Sequence, residues 1–420
     1  MLKQLPREPV WVSWLYVALC AATIFATVPF GRLLTDYINE YFDDWIFIAL
    51  VVVVFVLTIA AIVRFLILNR GATFWSYFWL AVISIIFCSY AYSLRDNAVE
   101  TLHFIEYGLL GVLIYRALSH RVRDLSIYPA TLCIGFVIGV LDEGIQWMTP
   151  QRVWDMRDIA LNSTAVVLTQ AGIGLGLKPA IISVSFSAKG VVLLCRVLAL
   201  AVFSFGVCLL NTPNVIDRYV DLLPGGAEIR KKSSQMAEYG FLYKDPEIGV
   251  FRSRFDPKSL KEQDQTQSSR AAKVLDQYPD VPLYPDFFEK YTVINDRFIH
   301  EAGVHLFRRE KYLDRFLDFL EDNVRGAKFD RAAHLAWRET RILEKYYGKT
   351  LGLSRYDIPP KRRAMLDAAQ NPKRSYESPV SKALITGLTY GQVAWGTAFL
   401  IILLLGGSYL YSRRINDKAA

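Results

Sequence analysis

The chain is poor in the residue types that build redox, metal and disulfide sites. Its 420 residues include only five cysteines and five histidines. Every cysteine falls inside an apolar run and none forms a Cys-x-x-Cys pair, which is typical of buried small side chains and excludes a disulfide framework. The sequence also lacks a glycine-rich phosphate loop and a nucleophile elbow. We therefore expect no cofactor and no metal site.

Basic stripes interleaved with base-stacking aromatics are absent too. The formal net charge is +8, but many of the basic residues flank apolar runs, as membrane topology predicts. This distribution argues against a nucleic-acid partner. Because 53% of the residues are hydrophobic, which is high for a soluble protein, the predicted partner is the lipid bilayer.

Long apolar runs dominate the chain instead. A run of about 20 apolar residues is long enough to cross the hydrocarbon core as a helix. The sequence predicts an all-α fold: a polytopic transmembrane helix bundle of about eight spans, with a mostly helical soluble insert between spans seven and eight. The predicted spans are residues 10–29, 45–65, 71–92, 100–118, 126–146, 158–177, 190–210 and 391–411.

The same pattern divides the chain into five parts. Residues 1–69 hold two N-terminal transmembrane helices, 70–180 form a transmembrane core, and 181–211 form the seventh span. Residues 212–388 form the soluble domain, and 389–420 hold the last span and a tail.

Lysine and arginine concentrate in alternate loops, and this bias predicts the orientation. Both termini are expected in the cytoplasm of a cell (inner or plasma) membrane, with 212–388 outside the cytoplasm. The residues that carry the bias are Lys3, Arg7, Arg64, Arg70, Arg116, Arg121, Arg123, Lys178, Lys189, Arg413, Arg414 and Lys418.

The insert at 212–388 is too polar for a membrane and too rich in aromatics for disorder. Apolar residues recur at three- and four-residue spacing over 312–320 and again over 335–347, which predicts two helices, ended by Gly326 and Gly348. Residues 258–270, rich in glutamine, serine and charge, are predicted to be a mobile loop.

Two apparent motifs are dismissed. His300 and His305 resemble a zinc-protease pair, but that motif needs a spacing of four residues and theirs is five. Gly172-x-Gly174-x-Gly176 follows no strand, so helix packing or a loosened helix end explains it better than a nucleotide loop.

The ionisable residues between 100 and 162 lie at the ends of three apolar segments. Such groups are costly in a membrane and usually face a protein interior or a water-filled cavity. The candidates for catalysis are His103 as a proton carrier and Glu106 or Asp142 to orient it. The candidates for contact with a substrate are Glu100, Tyr107, Glu143, Gln146, Arg152, Asp155, Arg157, Asp158 and Asn162.

Helical spacing places several of these candidates together. Glu100, His103 and Glu106 or Tyr107 fall along one side of a helix; Asp142 and Gln146 share a face, as do Asp158 and Asn162, while Glu143 points elsewhere. On the predicted topology all three segment ends lie near the outer face. The two arginines suit bidentate contact with a phosphate or carboxylate headgroup, or with nearby aspartates.

These motifs resemble those of VanZ-like membrane proteins over roughly residues 70–180. The resemblance rests on the run from Glu100 to Gly111, on Asp-Glu-x-x-Gln at 142–146, and on the charged residues that follow. This chain has Glu100 where the family often has lysine, and Ala165 where it often has glycine. The resemblance implies a link to glycopeptide (teicoplanin) resistance through the family's founding member, and no settled biochemical activity.

Three functions are compatible with these residues. The first is a site that binds or modifies an envelope lipid or glycan precursor, lipid-linked or anionic. The second is a membrane-anchored scaffold or assembly protein that meets an extracytoplasmic protein partner through 212–388, with the polar cluster as a structural lock. The third is a transporter, for which Thr169 and Gln170 are the only residues that extend the polar cluster inward.

Overall fold

The computed structural model describes residues 8–28, 73–94, 98–150, 152–232, 234–278, 284–371 and 374–417, with scattered positions between 52 and 67. The chain divides into two compact units. The first unit comprises Met1–Val207 and Ala394–Ala420, and the second comprises Cys208–Val393.

Long apolar helices build the first unit. The helices that the structure describes in full and that begin before residue 207 are α1 (Val10–Thr27), α2 (Phe74–Ser93), α3 (Ala98–Leu118), α4 (Ile127–Met148), α5 (Met156–Ala171) and α6 (Ala188–Leu210). Helix α3 packs against α1, α4 and α5, and α4 packs against α5. Phe104, Tyr107, Leu110 and Ile114 lie along α3 at three- and four-residue spacing and are fully buried in this packing.

Within the described residues, six helices are long and apolar enough by length and composition to cross a membrane. They are Val10–Thr27, Phe74–Ser93, Ile127–Met148, Met156–Leu177, Ala188–Leu210 and Tyr390–Arg413. The prediction of a helical, multi-span membrane protein is confirmed. The predicted span 45–65 lies outside the described residues apart from scattered positions. The predicted span 100–118 is α3, which has spanning length but carries Glu100, Glu106 and Arg116 and is not among the six.

The glycine-rich segment that ends the sixth predicted span packs closely against neighbouring side chains. After α5 the chain continues as a single π-helical turn, Gly172–Leu177. A methyl group on Gly176 would lie 2.5 Å from Leu80 Cγ, and one on Gly174 would lie 3.2 Å from Tyr128 Cζ. The close approaches at Gly174 and Gly176 agree with helix packing, and the π-helical turn agrees with a loosened helix end, the two explanations that the sequence offered.

The described part of the second unit is mostly helical and contains a two-stranded antiparallel sheet. Strands β1 (Phe241–Asp245) and β2 (Gly249–Ser253) pair with Phe241 opposite Ser253. The helices are α7 (Pro213–Ile216), α8 (Gly226–Arg230), α9 (Pro257–Asp276), α10 (Tyr284–Lys290), α11 (Arg297–Glu321), α12 (Ala327–Tyr346), α13 (Gly348–Leu353) and α14 (Pro360–Ala369), with a 3₁₀ turn at Val220–Leu222. Helix α15 (Tyr390–Asp417) begins in the second unit and continues into the first.

The structure confirms two predicted helices in the insert and corrects two other expectations. Helices α11 and α12 cover the predicted periodic stretches and pack against each other. Helix α11 already ends at Glu321, and Gly326, with φ 116°, instead precedes α12. The prediction of a mobile loop at 258–270 is wrong because this stretch lies inside α9. Asp256 starts α9 by accepting hydrogen bonds from the backbone N–H groups of Lys258 and Ser259.

Candidate functional site

The first polar group of the site lies along α3. His103 and Glu106 are one helical turn apart and both are partly buried. His103 Nδ1 is 3.2 Å from Glu106 Oε2, which makes an ion pair when the imidazole is protonated. Neither atom has a partner in hydrogen-bond geometry among the described residues. The two side chains are therefore close together but are not held by a hydrogen bond.

Helix α4 contributes a fully buried carboxylate to the same place. Asp142 is fully buried, and its Oδ2 accepts a hydrogen bond of 3.2 Å from the hydroxyl of Tyr107 on α3. Gln146 and the charge of His103 also lie beside this carboxylate. Asp142 Oδ1 accepts no hydrogen bond from the described residues. A buried carboxylate thus keeps one oxygen free next to an imidazole.

Glu143 shares Gln146 with Asp142 but also has a partner of its own in the backbone of Asp155. It is fully buried; its Oε1 accepts from Gln146 Nε2 at 2.9 Å, and its Oε2 accepts from the backbone N–H of Asp155 at 3.1 Å. Arg152 donates to the side-chain oxygen of Gln146. This group fastens the segment before α5 to the end of α4, so its polar atoms are mostly paired with one another.

Helix α5 begins at the edge of the site. Asp155 caps this helix by accepting a 2.7 Å hydrogen bond from the backbone N–H of Arg157. The Arg157 guanidinium reaches back to Glu100 on α3 at 2.5 Å. Because the Arg157 side chain is 65% exposed, it remains open to a further anionic partner.

Asp158 and Asn162 follow on α5, as their four-residue spacing predicted. Asp158 is partly buried and lies within Coulombic range of Glu100 and Arg157. Asn162 is buried opposite a glycine of α4: a methyl group on Gly139 would lie 3.7 Å from both Asn162 Cβ and Tyr107 Cε1. Three separate segments therefore deliver their polar residues to one region of the helix bundle.

Two polar residues on α5 do not extend the site inward. Thr169 Oγ1 donates to the carbonyl oxygens of Ala165 and Gly108. Gln170 Nε2 donates to the carbonyl oxygen of Gly111 at 3.0 Å. The contacts with Gly108 and Gly111 bind α5 to α3, while Gln170 Oε1 has no partner among the described residues.

Sequence reasoning missed Trp154, which lies between Arg152 and the cap of α5. Its side chain is buried, and Nε1 has no hydrogen-bond partner among the described residues. A buried indole N–H usually has a partner. Its position inside a charged segment is the signal that could have singled it out.

The polar cluster has two parts. Its buried part contains hydrogen-bond acceptors without a donor, and its exposed rim contains the Arg157 guanidinium. In the buried part, Asp142 Oδ1 and Glu106 Oε2 are free to accept from hydroxyl or ammonium groups, and His103 is placed to exchange a proton. At the rim, Arg157 offers a guanidinium suited to phosphate or carboxylate. No group of three or more histidine, cysteine or acidic side chains suited to a metal ion occurs in the described part of the chain.

These features define a helical membrane protein with a buried polar cluster where three helix ends meet. Residues 3–175 match the model of the VanZ/LLP1 family. Over this range the chain is similar to VanZ-like proteins, as its motifs predicted, and the match takes in the N-terminal helix as well as the segments that carry the cluster. Comparisons with curated proteins and with solved structures give no match.

Proposed function

We propose that the polar cluster of the VanZ-like part binds the head of an envelope lipid or glycan precursor. The observation that supports this most strongly is the free Oδ1 of the fully buried Asp142. A buried carboxylate oxygen without a donor costs free energy, roughly 1–3 kcal/mol or more for a charged group. A bound hydroxyl or amine of a ligand would recover that cost.

The other charges fit an amphiphilic ligand that is anionic at one point. Arg157 would hold a phosphate or carboxylate at the rim, and hydroxyl groups would reach Asp142 and Glu106. On the predicted orientation this rim faces the outer leaflet, where lipid-linked precursors of the envelope are exposed. His103 beside Glu106 is the group placed to move a proton if the ligand is modified rather than only held.

Replacement of the free carboxylate tests the proposal. Cells that express Asp142→Asn or His103→Gln are expected to lose tolerance of teicoplanin while the protein reaches the membrane at normal levels. Native mass spectrometry of the purified full chain is expected to show less retained amphiphile. Tyr115→Phe is the control. Tyr115 lies on α3, as His103 does, and its buried hydroxyl has no partner among the described residues. Unchanged tolerance and unchanged retained mass would contradict the proposal.

A second function has its own support. Glu143, Gln146, Arg152 and the Asp155 backbone are paired with one another, as a structural lock requires. The protein would then be a membrane-anchored scaffold that meets a protein partner through 212–388. This function predicts that Asp142→Asn is lost from the membrane, and that deletion of 212–388 abolishes function but leaves the helices inserted.

A further inference from the structure

The second unit contains an open cavity between the middle of α9 and the start of α11. Its volume is about 370 Å³, within the range of roughly 300–1,000 Å³ that small-molecule sites occupy. Phe255, Ile294 and Phe298 supply its apolar lining, and the rings of Phe255 and Phe298 meet edge to face at 6.3 Å. The remaining lining residues are polar: Gln263, Gln267, Arg270, Asn295, Asp296 and Arg297.

Most hydrogen-bond acceptors of this lining are already occupied. Gln263 Oε1 accepts from Gln267 Nε2, and Gln267 Oε1 accepts from Arg270 Nη1. Arg270 Nη2 also pairs with Asp296 Oδ2 at 2.6 Å. Asp296 Oδ1 caps α11 by accepting from the backbone N–H of Ile299. Among the side-chain acceptors of the lining, these contacts leave only the oxygen of Asn295 without a donor from the described residues.

Several hydrogen-bond donors of the lining, by contrast, have no acceptor among the described residues. The Arg297 guanidinium has no hydrogen bond or ion pair with the described residues, and the free amide of Gln263 can donate through Nε2. The backbone N–H groups of Arg297 and Phe298 lie in the first turn of α11, where no intrahelical acceptor exists. An excess of donors around a cavity is complementary to an anion.

Nearby carboxylates do not neutralise Arg297. Glu238 and Asp217 lie within Coulombic range of its guanidinium, but Glu238 pairs with Arg254 at 2.7 Å and Asp217 with Arg230 at 2.7 Å. Burial lowers the pKa of Arg297, and the neighbouring cation Arg254 acts in the same direction. Arg297 is thus a partly buried cation that lacks a counter-ion of its own.

We propose that this cavity binds a small molecule that carries a phosphate or a carboxylate. The Arg297 guanidinium and the Gln263 amide donate to the anionic group, and the uncharged part of the ligand packs against Phe255 and Phe298. The site consists of residues of the second unit alone, and the proposal does not depend on the function proposed for the polar cluster of the first unit.

Calorimetry on the full chain in detergent micelles tests this site. The probes are glycerol 3-phosphate for the phosphate source and glucuronate for the carboxylate source, with glycerol and glucose as their neutral counterparts. We expect binding of at least one anionic probe and none of its neutral counterpart. Binding of one probe alone identifies which of the two anionic groups the site selects.

Arg297→Gln is expected to weaken binding roughly ten- to hundredfold, because a hydrogen bond to a charged group contributes about 1.5–3 kcal/mol. Gln263→Ala is expected to weaken it roughly two- to tenfold, as loss of a neutral hydrogen bond predicts. Arg331→Gln, at an exposed arginine of α12, is the matched control and should bind as the unaltered chain does. The proposal is overturned if neither anion binds, if neutral counterparts bind equally well, or if Arg297→Gln and Gln263→Ala, with unchanged circular dichroism, bind like the control.

Discussion

Buried carboxylates occur in both units, but Asp142 of the first unit has fewer partners than Glu339 and Glu301 of the second. Glu339 of the second unit is fully buried and accepts from His305 Nδ1 at 2.7 Å, Arg308 Nε at 3.0 Å, the Tyr376 hydroxyl and the Ser378 hydroxyl at 3.0 Å. Both of its oxygens are therefore fully used. Asp142 of the first unit is equally buried but has an oxygen that accepts nothing from the described residues.

Glu301 repeats the pattern of the second unit. Its Oε1 accepts from the Tyr347 hydroxyl at 2.7 Å, and its Oε2 accepts from the backbone N–H and the guanidinium of Arg254. Buried carboxylates whose oxygens are all occupied help to order a core, although His305 Nε2 beside Glu339 has no partner among the described residues. The comparison indicates that the carboxylates of the second unit hold structure, whereas the incomplete set around Asp142 leaves room for a ligand.

Removal of the Glu339 charge should have the largest effect. Glu339→Gln would leave Arg308 without its buried counter-ion, and loss of one partner from a buried ion pair costs about 3–5 kcal/mol. We expect the second unit to become sensitive to protease and to lose helical circular dichroism at lower temperature. Glu321→Gln, at the exposed end of α11, is the control and should change stability by at most about 0.5 kcal/mol. Equal stability of the two variants would show that the Glu339 network does not hold the unit.

Acid should weaken the second unit in two stages. Burial and the cations Arg338 and Arg374 lower the pKa of His334 from 6.5 to about 4, and burial and Arg254 lower the pKa of His300. The unfolded chain therefore takes up protons first, so stability is full above about pH 6.5 and falls between 6.5 and 4. The slope is at most about 1.4 kcal/mol per pH unit for each histidine.

Asp245 defines the second stage. Burial alone would raise its pKa, but Lys345 and Tyr346 lower it from 3.8 to about 2. Its contribution is present above about pH 4 and is lost as the pH falls from 4 to 2. Thermal unfolding at a series of pH values checks both stages. His334→Gln should flatten the upper stage, and a profile identical to that of the unaltered chain would refute the assignment to His334.

Only the contacts between residues close together in the sequence could be predicted for these carboxylates. Spacing along α4 placed Asp142 and Gln146 on one face and directed Glu143 elsewhere. The contact of Glu143 with the Asp155 backbone agrees with that, but Glu143 also accepts from Gln146, which the spacing did not predict. The partners of Glu301 and Glu339 were not predictable, because they come from segments far apart in the chain and hydrophobic periodicity records no such pairing. The sequence described His305 only as half of a rejected zinc motif, whereas the structure pairs it with Glu339.

Helix α9 was missed for a different reason. Its buried face carries Asp264 and Ser268 between Leu260 and Leu275, so the apolar pattern that usually marks a helix is weak. The start signal was nevertheless present in Asp256 and Pro257, a capping residue followed by proline in the first turn. The buried Asp264 accepts from the backbone N–H groups of Lys349 and Thr350, a long-range contact that no local pattern reveals.

A smaller effect is expected at the hydroxyl that connects α3 to α4. Tyr107→Phe removes the donor to Asp142 Oδ2 and leaves a buried carboxylate poorer in partners, at a cost of about 1–3 kcal/mol. Tyr115→Phe on the same helix should be neutral, because its hydroxyl has no partner among the described residues. Thermal unfolding of both variants in detergent measures the difference, and a Tyr107→Phe variant as stable as Tyr115→Phe would show that the Asp142 contact contributes nothing.

The smallest effect on stability is expected at the rim, where structure and function separate most clearly. Arg157 pairs with Glu100 at one end of α3, and Arg116 pairs with Glu8 at the other, both at 2.5 Å and both with exposed guanidinium groups. Exposed ion pairs contribute about 0–1 kcal/mol, so Arg157→Gln and Arg116→Gln should both unfold within about 1 kcal/mol of the unaltered chain. If Arg157 holds an anionic headgroup, only Arg157→Gln should lower teicoplanin tolerance and the amount of retained amphiphile. Equal behaviour of the two variants in both assays would show that Arg157 does not bind the headgroup and only pairs with Glu100. The proposed site would then depend on Asp142 without a cation at its rim.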